Sequence, residues 1–399
     1  MIMPSNYKDI RKDHRNILMI IDEAAIQVED KTYCAGTETL FWCSHFKSFG
    51  RTFLSIPRKR EEDRDPKFPH VLNTPENATI SPRKYYHYQI DALRNPVNFL
   101  YNYYILIRDI LRSDAVIYRL PNIYLPVLLP VLILFRKRKK VVLLVVSDFY
   151  GRTFKKSWRP QQLFRNLIAY IYDYCERIGS RYFKTLTTGR YLADKYSAEL
   201  FDISLIPSQK IRHTTNDIKN DKIKLLYVGK LDKAKSVDTI LSAIDLLDEH
   251  YKSRIRLHIV GTGYEEHYLK ESVKSKGIDH LVSFEGPVPF GPELERYYRE
   301  SNIFILSSLY EGTPKVLFEA MAYRLAIIAT DVGGVSSATE NGKSAYLVPP
   351  GSAESIRDAI VKVISDDKLR SDLIENGTRI VSENTTEKKI AYIEGLLAG

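Results

Sequence analysis

The chain has 399 residues, 44% of them hydrophobic, and carries 59 lysines and arginines against 49 aspartates and glutamates, a formal net charge of +10. That length and apolar share describe a globular chain of two or three domains, each able to bury a core. The three cysteines, Cys34, Cys43 and Cys175, are odd in number and lack C-x-x-C spacing, which reads most simply as free thiols in a reducing compartment.

The opening MIMPSNYKDIRKDHRN is polar and charged, unlike a signal peptide, so a cytoplasmic location is expected and the sequons at Asn77 and Asn384 are expected to be silent. Ile17 to Ile21 predicts a buried strand, followed by a loop around Ala35-Gly36 and an amphipathic helix from about Thr37 to Phe49. Phe53 to Ile56 predicts the next strand, and the polar stretch from Arg58 to Glu76 an exposed excursion. Helices are expected near Pro96 to Leu111 and Arg159 to Ile178, where apolar residues recur at helical spacing. The cluster Tyr85-Tyr86-His87-Tyr88, in a chain of 27 tyrosines, reads as core and surface filler, not as a sugar platform.

Between predicted strands Ala115 to Leu120 and Val141 to Val146 lies LPNIYLPVLLPVLILF, nearly all apolar. A spanning helix needs roughly 20 apolar residues. This run is shorter and carries Pro121, Pro126 and Pro130, so it predicts a buried crossover helix beginning near Pro126, with superficial membrane insertion left open. The basic run Arg136 to Lys140 follows it. Nucleic acid is disfavoured as the partner of this charge, because no finger, knuckle or RNP-like aromatic motif accompanies it. An anionic membrane surface and a solvated helix end both remain open. Leu186-Thr187-Thr188 predicts the last strand of this half, and the polar segment Ser208 to Lys222 a linker.

A second alternation of strands and helices starts at Lys224 to Gly229, and its first helix places Ile240, Leu241, Ile244 and Leu247 on one face. Leu257 to Gly261 and Val282 to Phe284 predict further strands. Ile303 to Leu306 predicts another, followed by a Gly-Pro loop, a helix with Pro314 in its first turn, and a strand from Ala326 to Thr330. Two α/β domains with parallel sheets result, and ligands in such sheets bind at the carboxyl ends of the strands. Glu311 lies in the loop and Glu319 about a turn and a half into the helix, both near a helix N-terminus suited to anions. A ligand with both phosphate and sugar hydroxyls accounts for carboxylates at such a place.

Glu311-Gly312-Thr313-Pro314, with Phe318-Glu319-Ala320-Met321-Ala322 and Ile328-Ala329-Thr330-Asp331-Val332-Gly333-Gly334, resembles the E-x7-E signature of retaining glycosyltransferases of family four, which have the GT-B fold. The resemblance is dense from about Leu225 to Pro350 and thins over the first 200 residues. It implies an α/β chain of two Rossmann-like, doubly wound domains facing across a cleft. The implied division is an acceptor domain 1–207, a linker 208–222, a nucleotide-sugar domain 223–385 and a final helix 386–399 that crosses back towards the first domain.

The resemblance also implies site residues. Gly229-Lys230-Leu231-Asp232-Lys233-Ala234-Lys235-Ser236 resembles the family's G-R-L…K-G segment, so Lys230 and Lys235 are expected to contact the donor diphosphate, without a carboxylate partner in the motif. Gly36 in its loop is expected beneath the donor phosphate. Gly261, Gly263 and Pro287 are expected around the nucleotide base, and Gly312, Thr313, Pro314, Lys315, Val316 and Leu317 along the donor. Glu311 is expected to hold hydroxyls of the transferred sugar and Glu319 those of the ribose. A histidine that family members often carry after the strand at Val141 to Val146 is absent. Asp148 there takes either a hydrogen-bonding role towards sugar or acceptor, or caps the following segment.

Four further departures stand out: Lys230 for arginine, Ser236 for glycine, Arg324 and Ala326 for Gly and Pro, and Ser336-Ser337 for an acidic residue. The Ser236 loop is expected to be less tightly turned. The function implied is transfer, with retention, from a nucleotide sugar (uracil favoured) to a saccharide or lipid-linked acceptor in surface-polysaccharide synthesis. No metal or other cofactor is expected. A nucleotide-sugar hydrolase or epimerase of the same architecture and a silent partner subunit are the other classes.

Overall fold

A computed structural model describes residues 15–21, 25–28, 31–34, 51–59, 70–71, 78–84, 95–148, 150–151, 159–201, 206–214 and 223–398. The expected glycine loop at Gly36, the helix after it, Cys43 and Tyr85 to Tyr88 lie outside the described residues. The chain divides into two compact units, one of Met1–Thr188, Leu192–Phe201 and Ile390–Gly399, the other of Gly189–Tyr191 and Asp202–Lys389.

The first unit is built on ten strands: β1 (Ile17–Ile20), β2 (Ala25–Val28), β3 (Lys31–Cys34), β4 (Thr52–Lys59), β5 (His70–Val71), β6 (Ala78–Lys84), β7 (Ala115–Leu120), β8 (Lys140–Val145), β9 (Lys184–Thr187) and β10 (Glu199–Leu200). They run in the order β10-β9-β8-β7-β1-β4-β2-β3-β5, with β6 also paired to β4. Strands from β10 to β4 are parallel, and β2 and β3 form an antiparallel pair continued by β5. Parallel strands are covered on both faces, which is why β1 and β8 read as unbroken apolar runs. Helices α1 (Pro96–Arg112), α2 (Leu125–Phe135) and α3 (Pro160–Tyr182) return the chain to β7, β8 and β9 in turn, and α4 (Arg190–Tyr196) precedes β10. Asn95 caps α1 by accepting from the Asn98 N–H at 3.1 Å, with Pro96 at the first helical position. Leu125, Leu128, Leu129 and Leu132 of α2 are buried, as a crossover helix requires. Among the described residues no helix is long and apolar enough to cross a membrane.

Three expectations for this half need correction. The stretch after Ile56 is not all excursion, because β4 runs on to Lys59 and β5 lies within it. The pair β2–β3 and strand β6 have no apolar run to announce them: β6 carries Pro82, Arg83 and Lys84, and the buried Arg83 guanidinium donates to the carbonyls of Ile21 and Ser55 at 2.5 and 3.1 Å. The strand at Leu186 is not the last, since β10 pairs beyond it.

The second unit has six parallel strands: β11 (Ile223–Val228), β12 (Ile255–Val260), β13 (Val282–Gly286), β14 (Ile303–Leu306), β15 (Ala326–Thr330) and β16 (Tyr346–Val348). Their order is β13-β12-β11-β14-β15-β16. From β11 the chain first moves outward to β12 and β13, then returns past β11 to β14. Helices α5 (Val237–Asp245), α6 (Glu249–Lys252), α7 (Glu266–Ser275), α8 (Pro292–Glu300), α9 (Lys315–Ala322) and α10 (Val335–Ala338) connect them, followed by α11 (Ala353–Ser365), α12 (Asp367–Glu383) and α13 (Thr386–Ala398). Ile240, Leu241, Ile244 and Leu247 are buried in the core with β11 and β12. The unit's long stretch runs from Asp202, ahead of the linker expected at 208–222: Ile206 and Ile211 are buried in its core, and the Arg212 N–H donates to the Ala322 carbonyl at 2.8 Å. The end of α13 belongs to the first unit, where Tyr392 donates to Glu199 at 2.5 Å and Arg15 to the Leu397 carbonyl at 3.0 Å.

A polar cluster lies between α3 and α4. Lys195 bridges Asp148 and Asp173 at 2.8 and 2.6 Å, and the Tyr196 phenol donates to the buried Glu176 at 2.6 Å. Burial pushes the Glu176 carboxyl up to about 8, opposed by the Tyr196 hydrogen bond and the Lys195 charge. A carboxyl whose folded pKa is raised holds its proton longer in the folded state. Its contribution to stability is therefore largest below the ordinary range and falls as pH climbs through it towards the folded value. The Glu176→Gln variant should melt at the wild-type temperature near pH 5 and above it at pH 8, by calorimetry at each pH. Parallel melting curves across that window would contradict the assignment.

Arg324, in the turn between α9 and β15, has φ +60, a left-handed backbone that penalises a Cβ. Its guanidinium pairs with Glu375 and donates to Thr378 at 3.2 Å. Arg324→Ala and Arg324→Gly lose those bonds alike but differ in the Cβ. The glycine variant should be the more stable of the two by about 0.5–1 kcal/mol in denaturant unfolding, the relief of strain being partly offset by unfolded-chain entropy. Equal stability would show that the turn is unstrained.

Candidate functional site

The carboxyl ends of β11 to β15 carry the loops that the sequence singles out. After β11 come Gly229 and Lys230, whose carbonyl accepts from the buried Tyr227 phenol at 2.8 Å. Gly261, after β12, has φ +139, and a Cβ there would stand 1.8 Å from the Gly229 carbonyl oxygen. Leu231 donates its N–H to Thr262 at 3.1 Å, and Gly261 donates to Gly286, just ahead of the exposed Pro287, at 2.8 Å. Gly263 lies against the Leu231 carbonyl. Hydrogen bonds and close backbone approach thus bind the loops after β11, β12 and β13 together.

The loop after β14 is fastened on both sides. Towards β11, Leu309 donates to the Ala234 carbonyl and Ser307 Oγ to the Lys235 carbonyl, both at 2.8 Å. Lys235 Nζ meets Glu311 Oε1 at 2.5 Å, and Ser308 Oγ donates to the same oxygen at 2.7 Å. Towards β15, Thr330 Oγ1 donates to the Ser308 carbonyl at 2.6 Å and Gly334 to the Gly312 carbonyl at 2.9 Å. Gly333 has φ +52, and a Cβ there would sit 1.9 Å from the Glu311 carbonyl oxygen, so this contact excludes any side chain.

Lys235 has a carboxylate partner from outside its own motif: Glu311 reaches it from 76 residues away in sequence. Lys230 is exposed and forms no salt bridge among the described residues. Ser236 has φ 49 and ψ 46, so the loop keeps a left-handed turn without glycine and is not opened by the substitution.

Helix α9 begins with Lys315, so Pro314 is its N-cap and not part of its first turn. No side chain caps this N-terminus and no acidic residue stands in its first turn. Gly312 and Lys315 are exposed, Thr313 and Val316 half-buried. Leu317 is wholly buried in the core, so its backbone alone is available to a ligand. One turn further on, Glu319 Oε2 accepts from the Tyr298 phenol at 2.6 Å. Burial raises the Glu319 carboxyl above its usual range, with the phenol and nearby Lys315 and Lys210 pulling the other way. Tyr298 is buried between Phe304 and Tyr323, with ring centroids at 6.1 and 5.6 Å. Nothing in the local sequence signalled Tyr298 as a partner of Glu319, whereas Ser307-Ser308, directly after an apolar strand, was a legible signal that passed unused.

Asp148 lies in the first unit. Its Oδ1 accepts from the Gly151 N–H at 3.0 Å and from Lys195 at 2.8 Å, which is the capping alternative.

Residues 208–380 match the family model described as Glycosyl transferases group 1. The capsular polysaccharide biosynthesis glycosyltransferase CapM of Staphylococcus aureus is 25% identical over 199 residues, 49% of this chain and 50% of CapM. Protein CapJ of the same organism is 22% identical over 395 residues, 96% of this chain and 95% of CapJ. The chain spans about half the length of several of the curated relatives it matches. Among solved structures, HepE of Anabaena in complex with UDP superposes with a TM-score of 0.65 at 14% identity, over 96% of this chain and 99% of HepE. Residues 208–380 are thus similar to the glycosyl transferases of group 1, and the fold of the chain is GT-B, two Rossmann-like units on largely parallel sheets.

Proposed function

We propose that the chain is a retaining glycosyltransferase that moves a sugar from a nucleotide-sugar donor, a UDP-sugar in preference, to a saccharide or lipid-linked acceptor in surface-polysaccharide synthesis. The observation that carries this reading is the Lys235–Glu311 pair, set where β11 and β14 adjoin and the chain leaves the sheet in opposite directions. Open α/β sheets bind ligands at such a switch point. The similarity to CapM supports polysaccharide synthesis, and the UDP complex of HepE supports a uridine donor.

The chemistry follows from charge. Breaking the bond between sugar and diphosphate develops negative charge on the leaving oxygen, and preorganised cations and N–H dipoles stabilise it. Lys230 stands exposed beside the site, and the Lys235 ammonium has three donors of which Glu311 takes one. The uncapped N-terminus of α9 adds its N–H groups and positive dipole end. In this reading those groups carry the neutralisation, and no metal is assigned to the diphosphate.

Glu311 uses Oε1 for Lys235 and Ser308, which leaves Oε2 for hydroxyls of the transferred sugar. Glu319 uses Oε2 for Tyr298 and presents Oε1 to the ribose. An ionised Glu319 accepts from hydroxyls more strongly than a protonated one, and its raised pKa makes that strength a function of pH.

Losing one hydrogen bond to a charged group is worth roughly 1.5–3 kcal/mol, a factor of about ten to a hundred. Calorimetric titration should show Glu319→Gln weakening UDP and UDP-sugar alike by about that factor. It should also remove the rise in wild-type UDP affinity as pH climbs through the Glu319 titration. Glu311→Gln should leave UDP binding nearly intact while cutting transfer sharply. Equal loss of UDP by both variants would refute the division of roles, and full transfer by both would refute the site.

The two lysines give a separate test. Lys230→Ala and Lys235→Ala should each weaken UDP more than uridine, since only UDP brings the diphosphate. Equal UDP affinity in the double variant and the wild type would place the diphosphate elsewhere.

A further inference from the structure

The long helix α3 has two unlike sides. Inward, Ala169, Tyr172, Glu176 and Gly179 are buried, Tyr172 in a core shared with Leu106 and Ile110 of α1 and Leu125 and Leu128 of α2. Outward, where a surface helix ordinarily turns polar residues to water, α3 shows Leu163, Leu167, Tyr170 and Tyr174, which are 46%, 55%, 62% and 58% exposed. Phe164 and Ile171 flank them at 55% and 42%. The spacing i, i+4, i+7, i+11 makes this one stripe, about 16 Å long at 1.5 Å per residue. On α1, Leu100 and Tyr104 are also bared, at 62% and 63%.

The charges on these helices have one sign wherever they meet water. Arg165 and Arg181 are exposed on α3, and Arg136 lies over the Tyr182 ring at 5.7 Å, joining the basic run after α2 to the end of the stripe. The carboxylates of α1 to α3 are Asp109, Asp173 and Glu176. Asp109 is buried against Arg108, Asp173 is paired with Arg177 and Lys195, and Glu176 is buried with Tyr196. No free carboxylate faces outward from them.

We propose that this face docks on an anionic lipid bilayer, with the apolar stripe of α3 lying in the headgroup boundary and the flanking cations on acidic headgroups. Apolar residues beside tyrosines and arginines are what an interfacial helix presents. A second copy fits less well, because a two-fold contact of this face with itself would bring its unpaired cations together. The basic run alone is not the surface. It borders an apolar stripe that supplies insertion, and this inference stands apart from the transfer reaction.

Flotation of the full chain with phosphatidylcholine vesicles, with and without phosphatidylglycerol, tests it. The wild type should float with the anionic vesicles alone and detach as salt rises. Leu167→Glu combined with Tyr170→Glu should lower the bound fraction at least tenfold without changing the melting temperature, since both side chains are solvent-exposed in the free chain. Replacing Arg136, Lys137 and Arg138 by Gln should flatten the salt dependence. Three results would each overturn the proposal: no flotation of wild type, equal flotation of wild type and the apolar double variant, or a wild-type dimer in light scattering that the double variant dissociates.

Discussion

Lys235 and Glu311, 76 positions apart in sequence, meet at 2.5 Å beyond the ends of two adjacent parallel strands, β11 and β14. Neighbouring strands lie about 4.8 Å apart, so loops leaving their ends are within side-chain reach of one another. The ion pair fixes that reach. Glu311 is only 9% exposed in its side chain, so the bond is little screened by water, and Ser308 shares the same oxygen. Around it the loops are bound backbone to backbone, with Gly261 and Gly333 at contacts where a Cβ would stand within 2 Å of a carbonyl oxygen. The result is a platform whose charged groups are placed before any ligand arrives, and preorganised charge is what stabilises a developing anion.

The departures from the family pattern show which part of that platform is backbone and which is chemistry. Ser236 and Arg324 stand where glycine is usual, yet both keep left-handed dihedrals, φ 49 and φ 60. The surrounding strands and helices impose the turn, and the side chain bears the strain. At Lys230 the change is chemical: an ammonium is a compact point charge where a guanidinium is a flat fork.

Much of the fold was legible because parallel strands are buried on both faces and so read as apolar runs, as at Ile17 to Ile20, Val141 to Val145 and Ile303 to Leu306. Strands without such an apolar run were not. The pair Ala25–Val28 and Lys31–Cys34 mixes polar and apolar residues without alternation, and β6 ends in Arg83 and Lys84. The site divides likewise. Glycines, glutamates and lysines stand in contiguous motifs, but the partner of Lys235 is distant in sequence, and the Tyr298 that holds Glu319 comes from the helix before β14. The helical spacing of apolar residues in α3 did not by itself show that its outer side is apolar as well.

A crystal structure of the chain grown with UDP tests the central claim most directly. The account predicts diphosphate oxygens within hydrogen-bond distance of Lys230, Lys235 and the first N–H groups of α9, with the ribose hydroxyls on Glu319. UDP bound away from the ends of β11 and β14, or no UDP at saturating concentration, would contradict it.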